Sequence, residues 1–264
     1  MAVYAFVSAK GSPGVTTTVV ALSRAWQRAT ARRVLALDLD PSGGDVAAGV
    51  LLGSPPAGVG VLALATHRSD QPVEALAGAA VDLTGEGSLL VPGVPDVARA
   101  GAIPLAWDVV VAALPELAAE QTDVLVDGGR LAGAVTQPVW TAEADHVVML
   151  VRPTLPAVTA AHRQVSSMPS QLPLGVVVIE APSPYSAREV ERAVERPLRG
   201  VLPFDPRSAA VHSEGARPDR NHAKHSYARA VDRLAVALTD LTSDGTGPTE
   251  RPALTEAAGA GERL

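Results

Sequence analysis

Residues Ala9 to Thr18 read Ala-Lys-Gly-Ser-Pro-Gly-Val-Thr-Thr-Thr. They follow a short apolar run, Val3-Tyr4-Ala5-Phe6-Val7, and precede a helix-like stretch, Val19 to Arg28. A strand that feeds a glycine-bearing loop and then a helix is the setting of a phosphate-binding loop. Backbone N–H groups in such a turn face a concavity, and the helix N-terminus adds partial positive charge. The lysine expected just after the second glycine is absent, and Val15 stands there. Another lysine, Lys10, stands just before the first glycine. The loop thus predicts nucleotide binding and puts ordinary hydrolysis in doubt.

The rest of the chain supplies a frame for that loop. Apolar β-like runs recur at Ala2–Val7, Val34–Leu37, Ser88–Val91, Val124–Val126, His146–Val151, Gly175–Ile179 and Gly200–Leu202. Several lack polar alternation, which predicts strands buried on both faces, as in a parallel sheet. Helix-like stretches fall between them at Val73–Ala80, Leu105–Ala119, Ala157–Met168 and Ser186–Glu195, with a last one at Ala223–Leu241. Ser186 and Glu189 fit a capping box, so a helix is expected to start after Ser186. Tyr227, Val231, Leu234, Leu238 and Leu241 form one apolar stripe, read as core packing. The alternation predicts an α/β fold, a doubly wound, mostly parallel sheet flanked by helices. Ligands of such sheets sit beyond the carboxyl ends of the strands. One domain is expected over residues 1–241. From Thr242 the chain turns small and polar, and residues 242–264 are expected to form a disordered tail.

Composition narrows the function classes. The 264 residues include no cysteine, which excludes disulfides and thiolate metal sites. No run of about 20 apolar residues stands out to span a bilayer, the N-terminus lacks a secretory pattern, and a cytoplasmic protein is the plain reading. A net charge of −6 argues against a broadly nucleic-acid-binding surface. Between Arg188 and Arg233, however, basic residues outnumber acidic ones, and Arg188, Arg192, Arg217, Arg220 and Arg229 are candidates for a basic face. Lys10 and Lys224 are the only lysines. That one of two sits in the glycine loop suggests a compact ammonium is wanted there, rather than a guanidinium fork.

Three further segments carry acidic or basic groups at strand ends. Asp38-Leu39-Asp40-Pro41-Ser42-Gly43-Gly44-Asp45 ends an apolar run with two carboxylates, which suits a metal-bound or attacking water. Asp127 ends the run from Asp123 and has the placement of a carboxylate that holds Mg²⁺ through water. His146–Val151 runs into Arg152-Pro153-Thr154. Arg130 and Arg152 are read as ordinary loop arginines, and His222 and His225 as a solvated pair. Ser12 finds no Ser/His/Asp ordering that would make it a nucleophile.

Taken together, order and spacing resemble the deviant Walker A ATPases of the ParA/MinD family, whose loop reads Lys-Gly-Gly-x-Gly-Lys-Thr-Thr. Lys10, Gly11, Gly14, Thr16 and Thr17 match, while Ser12 replaces a glycine and Val15 the second lysine. The family's Asp-x-Asp-Pro turn is matched by Asp38, Asp40 and Pro41, and its second aspartate strand by Asp127. Gly200 to Arg207, Gly-Val-Leu-Pro-Phe-Asp-Pro-Arg, resembles its last strand and nucleotide-base loop. The resemblance covers roughly residues 1 to 240. It implies ATP and Mg²⁺ as cofactors. Gly11, Ser12, Pro13, Gly14, Val15, Thr16 and Thr17 would cradle phosphate, with Thr16 on Mg²⁺ and Thr17 on the α-phosphate. Lys10 would reach a partner's phosphates across a nucleotide-dependent homodimer. Asp40 would orient the attacking water, Asp38 and Asp127 would lie near the metal, and Pro203, Phe204 and Asp205 would border the base.

Two departures bear on function. Val15 removes an ammonium worth about 1.5–3 kcal/mol to phosphate, so at most weak ATP hydrolysis is expected. Glu180 stands where relatives often place an asparagine that reads adenine. A carboxylate only accepts hydrogen bonds. It suits the adenine amino group, or equally the N1 and N2 hydrogens of guanine. The resulting expectation is an ATP-dependent dimer switch that positions a cargo: a partition complex, division machinery, or a pilus or secretion assembly, as in TadZ/CpaE-type localisers. Two alternatives stay open, a non-enzymatic pseudo-ATPase scaffold and a DNA-binding partition ATPase. Membrane cycling of the MinD kind is disfavoured, because the tail carries no basic amphipathic helix.

Overall fold

The computed structural model describes residues 1–67, 70–131, 138–168, 172–180 and 183–243. The expected tail from residue 244 onward lies outside these residues; the last helix itself runs on to Ser243.

Eight strands form one sheet: β1 (Val3–Ser8), β2 (Arg33–Asp38), β3 (Val81–Asp82), β4 (Ser88–Val91), β5 (Thr122–Arg130), β6 (His146–Val151), β7 (Leu174–Glu180) and β8 (Leu198–Pro203). Their order is β3-β4-β2-β5-β1-β6-β7-β8. All neighbours are parallel except β3 and β4, a short antiparallel edge pair that the sequence reading lacks. Two residues of β3 are too few to leave a period in the sequence. The other seven strands fall on the seven apolar runs, and four of them extend into polar ends at Ser8, Asp38, Arg130 and Glu180.

The strands are apolar on both sides because both sides are covered. Along β1, Val3, Ala5 and Val7 face one core, and Tyr4 and Phe6 face the other. The first core is roofed by α2 (Val61–Ala65), α3 (Pro72–Ala79), α4 (Ala102–Ala119), α5 (Leu155–Ser166) and α6 (Ala187–Val194). The second is roofed by α1 (Val15–Thr30), α7 (Pro206–Ser213) and α8 (Ser226–Ser243). In α1, Val15, Val19, Leu22 and Trp26 are buried at helical spacing. In α8, Tyr227, Val231, Leu234 and Leu238 are buried, so the stripe is core. The capping box forms as expected: Ser186 N–H donates to Glu189 Oε2 at 2.8 Å, and Glu189 N–H to Ser186 Oγ at 3.3 Å.

Helix α4 is long and apolar enough, by length and composition, to cross a membrane, with a mean hydropathy of 1.6. Ile103, Ala106, Trp107, Val110, Ala113, Leu114 and Leu117 are instead buried against the sheet, α2 and α3. At the amino end of β5, Asp123 binds four donors: Ala2 N–H, Trp26 Nε1–H, and Arg32 through Nε and Nη2 at 2.6 and 2.8 Å. This buried hub ties β1, α1 and β5 together on the edge away from the glycine loop.

Candidate functional site

The carboxyl ends of the seven parallel strands share one edge, and the loops that follow them build the site. The loop after β1 turns through Gly11, Ser12 and Gly14, at φ of 85°, 41° and 94°. Gly14 caps α1 in the left-handed region, a conformation that a side chain would strain. Lys10, Gly11 and Ser12 are exposed, while Pro13 is buried. Val15 is 6 % exposed and packs into the core beneath α1. Position 15 therefore contributes backbone and apolar packing, and no cation.

Next to the loop lie the strand-end aspartates. Asp38 and Asp127 are Cα partners in the parallel register of β2 and β5. Each is 1 % exposed. Asp127 Oδ1 accepts from Gly129 N–H at 2.9 Å, and Asp38 Oδ1 from Asp40 N–H at 3.3 Å. The second oxygen of each, Asp38 Oδ2 and Asp127 Oδ2, is buried with no hydrogen-bond partner among the described residues. Burial pushes the Asp127 carboxyl up to about 7, with the Thr16 hydroxyl and Gly129 N–H pulling the other way and Asp40 and Asp45 adding repulsion. Asp38 is raised well above the usual carboxylate range by burial first and by Asp127 second. Orphaned carboxylate oxygens beside a threonine hydroxyl are the donor set of a hard divalent cation. The residues present fit Mg²⁺.

Asp40 sits higher, half-buried at the turn after β2. Its Oδ1 accepts from Ser42 N–H at 2.8 Å. Its carboxyl lies so close to the backbone of Gly129 that a β-carbon there would collide with it. Two strand ends thus approach through a residue with no side chain. Gly44 and Gly93 crowd the Asp38 carboxyl in the same way.

One carboxylate of this group is missing from the sequence reading. Asp45, exposed, raises both Asp38 and Asp127 through its charge, so four acids, Asp38, Asp40, Asp45 and Asp127, act on one another at these strand ends. The signal was the third aspartate of the Asp38–Asp45 segment. A cavity of about 340 Å³ opens beside Thr16 and Thr17, bounded by Asp45, Val50, His212 and Ser213. Helix α7, also absent from the sequence reading, closes it. The Asp205-Pro206 pair was its signal, a capping residue followed by proline at the first helical position. Arg24 of α1 donates to the Val211 carbonyl at 2.7 Å and holds the end of α7.

At the far rim, Glu180 ends β7 exposed, and Phe204 N–H donates to its carbonyl at 2.6 Å. Pro203 is the register partner of Glu180. Asp205, read from sequence as a neighbour of the base, caps α7: it accepts from Ser208 N–H at 3.1 Å and Ser208 Oγ–H at 2.6 Å. Those bonds hold its carboxyl below the usual range. Arg152 is no ordinary loop arginine, since its guanidinium lies 5.3 Å from the centre of the Phe204 ring. Arg130 is exposed at the end of β5.

The remaining candidates separate. His225 lies 3.2 Å from Ser208 Oγ and 3.4 Å from Asp219, and the His222 ring meets His212 at a tilt and His225 edge-on, so the pair belongs to the α7–α8 junction. Ser208 is 2 % exposed and bonded to Asp205, which leaves no nucleophile there. Arg188 and Arg192 lie on α6, over one face of the sheet. Arg229 lies on α8, over the other. The expected single basic face is thus split by the sheet.

No family model matches the chain, and no curated protein matches it. Solved structures do match. MinD of Pyrococcus furiosus superposes with a TM-score of 0.69 at 21% identity, covering 91% of this chain and 99% of that one. The fold is that of the MinD and ParA ATPases. MinD of Aquifex aeolicus gives 0.69 at 19% identity, with 91% and 98% covered. The ParA family ATPase of Chlorobium tepidum gives 0.62 at 16% identity, with 90% and 98% covered. Both chains are spanned almost end to end, so the likeness extends past the glycine loop to all seven parallel strands. The MinD/ParA fold brings Lys10 through Thr17, Asp38, Asp40 and Asp127 to one end of the sheet, and Glu180, Pro203 and Phe204 to the same edge.

Proposed function

We propose that this chain is a nucleotide-operated switch of the MinD/ParA type. A magnesium nucleoside triphosphate binds on Gly11–Thr17, two copies close face to face over it, and the closed pair positions a protein cargo. The observation that carries the reading is the Asp38–Asp127 pair, with two orphaned oxygens beside Thr16 at the foot of the glycine loop. Solved structures of the fold support the ligand: MinD of Pyrococcus horikoshii carries Mg-ADP, and McdA of Cyanothece carries ATP. A MinC:MinD complex of Aquifex aeolicus supports a protein partner.

Each residue has a task in this scheme. The N–H groups of the loop and the first turn of α1 hold the phosphates. Thr16, Asp38 and Asp127 hold the cation, directly or through its waters, and bound Mg²⁺ neutralises phosphate charge. Asp40, fixed by Ser42 N–H and packed on Gly129, orients a water at the terminal phosphate. Val15 offers no ammonium to that phosphate, so charge developing in phosphoryl transfer goes less compensated and turnover is weak or absent. Lys10, exposed at the rim, is the cation left for a partner's phosphates.

The same edge of the sheet supports closure by a second copy. Leu52, Val97, Leu105, Leu155, Tyr185 and Phe204 are all exposed, between 37% and 69%, on loops and first helical turns that follow strand ends. Apolar side chains gathered around one site mark an interaction surface. Calorimetry of Mg·ATP binding, with sedimentation on the same samples and Lys10→Ala beside the wild type, tests the reading. The expected result is binding with a nucleotide-dependent dimer that Lys10→Ala loses. Equal dimerisation with and without nucleotide would favour a scaffold.

A further inference from the structure

We infer that the free cations around the junction of α7 and α8 form a docking site for a short acidic segment of a protein partner. The inference rests on the protein-cargo part of the reading above and names the chemistry that holds the cargo.

Placement comes first. Arg207 lies at the start of α7, and Arg217 and Arg220 in the chain that follows it. Lys224 closes the turn His222–Lys224, and Arg229 and Arg233 lie in the first two turns of α8. Contacts beneath draw these pieces together. His225 lies 3.2 Å from Ser208 Oγ and 3.4 Å from Asp219, and the His222 ring lies 5.6 Å from that of His212 on α7. Each tie sits beside a cation: Ser208 next to Arg207, Asp219 next to Arg220, His225 next to Lys224. Arg188 and Arg192 lie on α6 across the sheet, so the six form a group of their own.

Availability comes second. All six side chains are exposed, and none makes a hydrogen bond or an ion pair among the described residues. The acids of the same stretch are largely engaged. Asp205 caps α7 and bonds Ser208. Asp219 accepts from Asn221 N–H at 2.8 Å and faces His225, and Asp232 pairs with Arg28. Only Glu214 is exposed without a side-chain partner. Like charges gathered without counter-charges repel one another, and an anionic ligand relieves that repulsion.

Chemistry then selects the anion. Five of the six are arginines, whose planar fork matches a carboxylate through two hydrogen bonds. No large apolar side chain is exposed between Arg207 and Arg233, so nothing here would insert into a lipid surface. The six are drawn from 22 basic residues in a chain with 28 acidic ones, so the rest of the molecule is strongly negative. A nucleic-acid duplex carries a charge about every 1.7 Å and runs on past any patch, here over that negative surface. A short acidic segment ends within the patch and can follow its bend from α7 to α8. Complementarity of this kind sets partner choice and the rate of encounter.

The test is binding of a fluorescent octaglutamate peptide and of a 40-base-pair duplex to the full chain, read by anisotropy. The peptide should bind below about 100 μM at low salt, more tightly than the duplex, and weaken as salt rises. Arg217→Glu with Arg220→Glu, at exposed positions, should keep the melting temperature and weaken the peptide about tenfold. Arg188→Glu with Arg192→Glu makes the same change in net charge across the sheet and should leave binding within about twofold. Equal losses in the two double variants would show net charge at work rather than this patch, and overturn the inference. No peptide binding, or a duplex bound more tightly than the peptide, also overturns it. Mg·ATP binding on the same samples keeps the readings apart: peptide binding absent while nucleotide binds leaves the switch standing.

Discussion

Asp38 and Asp127 stand side by side at the ends of β2 and β5, each with one buried carboxylate oxygen that no described group satisfies. Two acids this close and this buried repel each other when both are ionised, so the arrangement is costly without a cation. Replacing one by its amide removes the repulsion. Asp127→Asn should raise the melting temperature in the absence of Mg²⁺ by about 2–4 °C, a gain of about 1 kcal/mol for a chain of this size. The same variant should lose most of the Mg²⁺ dependence of nucleotide binding. Calorimetry and thermal melts with and without EDTA check both halves. A lower melting temperature in EDTA would mean that Asp127 is structurally paired after all.

Val15→Lys places an ammonium where the loop has none. Position 15 opens α1, and a lysine stem can follow the apolar surface there while its head reaches the phosphates. The expected gain is about 1.5–3 kcal/mol in triphosphate binding. Phosphate release should rise with it, measured against the wild type under identical Mg²⁺. Unchanged affinity would show that the loop already supplies what the phosphates need.

His212 makes stability fall on the acid side. Burial above all, then Arg24 and His222, depresses its pKa to about 3 from 6.5. The unfolded chain takes up a proton near 6.5, and the folded chain does so only near 3. Stability from this group is complete above 6.5 and is lost as pH falls towards 3. At pH 5 the loss is about 2 kcal/mol. His212→Gln should flatten that part of the curve in denaturant titrations at pH 7 and pH 5. An equally steep decline in the variant would place the acid sensitivity elsewhere.

Arg32 closes the buried hub at Asp123. It is the only cation among that carboxylate's four donors, and Asp123 is 1 % exposed. Arg32→Ala leaves the charge buried with only neutral donors, at a cost of about 3 kcal/mol. Urea unfolding should report it as a shifted midpoint with an unchanged slope. The hub lies at the amino ends of the strands, so nucleotide affinity of the folded variant should stay at the wild-type level.

Much of the site was legible because strand ends carry it. Asp38, Asp127 and Glu180 each terminate an unbroken apolar run, and an unbroken run means a strand buried on both faces. Gly11 and Gly14 marked the loop, since glycine adopts a positive φ without strain, while the positive φ of Ser12 between them left no such mark. Less legible was whatever depends on two distant segments meeting. From the resemblance Asp205 is read as a neighbour of the base, and its capping of α7 emerges only from the path of the chain after β8, where Ser208 donates to its carboxylate. Arg152 reads as a loop arginine until the end of β6 is set two strands from Phe204.

Local chemistry, then, is what the sequence determined by itself. Apolar runs without alternation require a covered sheet, glycines at the end of the first strand require a tight turn, and a valine in place of lysine removes a charge wherever the loop ends up. Strand order was decided only in three dimensions. Setting β2 beside β5 brings Asp38 to Asp127 from 89 residues apart, and setting β6, β7 and β8 in a row brings Arg152, Glu180 and Phe204 to one rim. The physical reason is that burial and charge repulsion act through space. A carboxylate's protonation, partner and task depend on which strands flank its own, and that adjacency follows from packing two cores against one sheet.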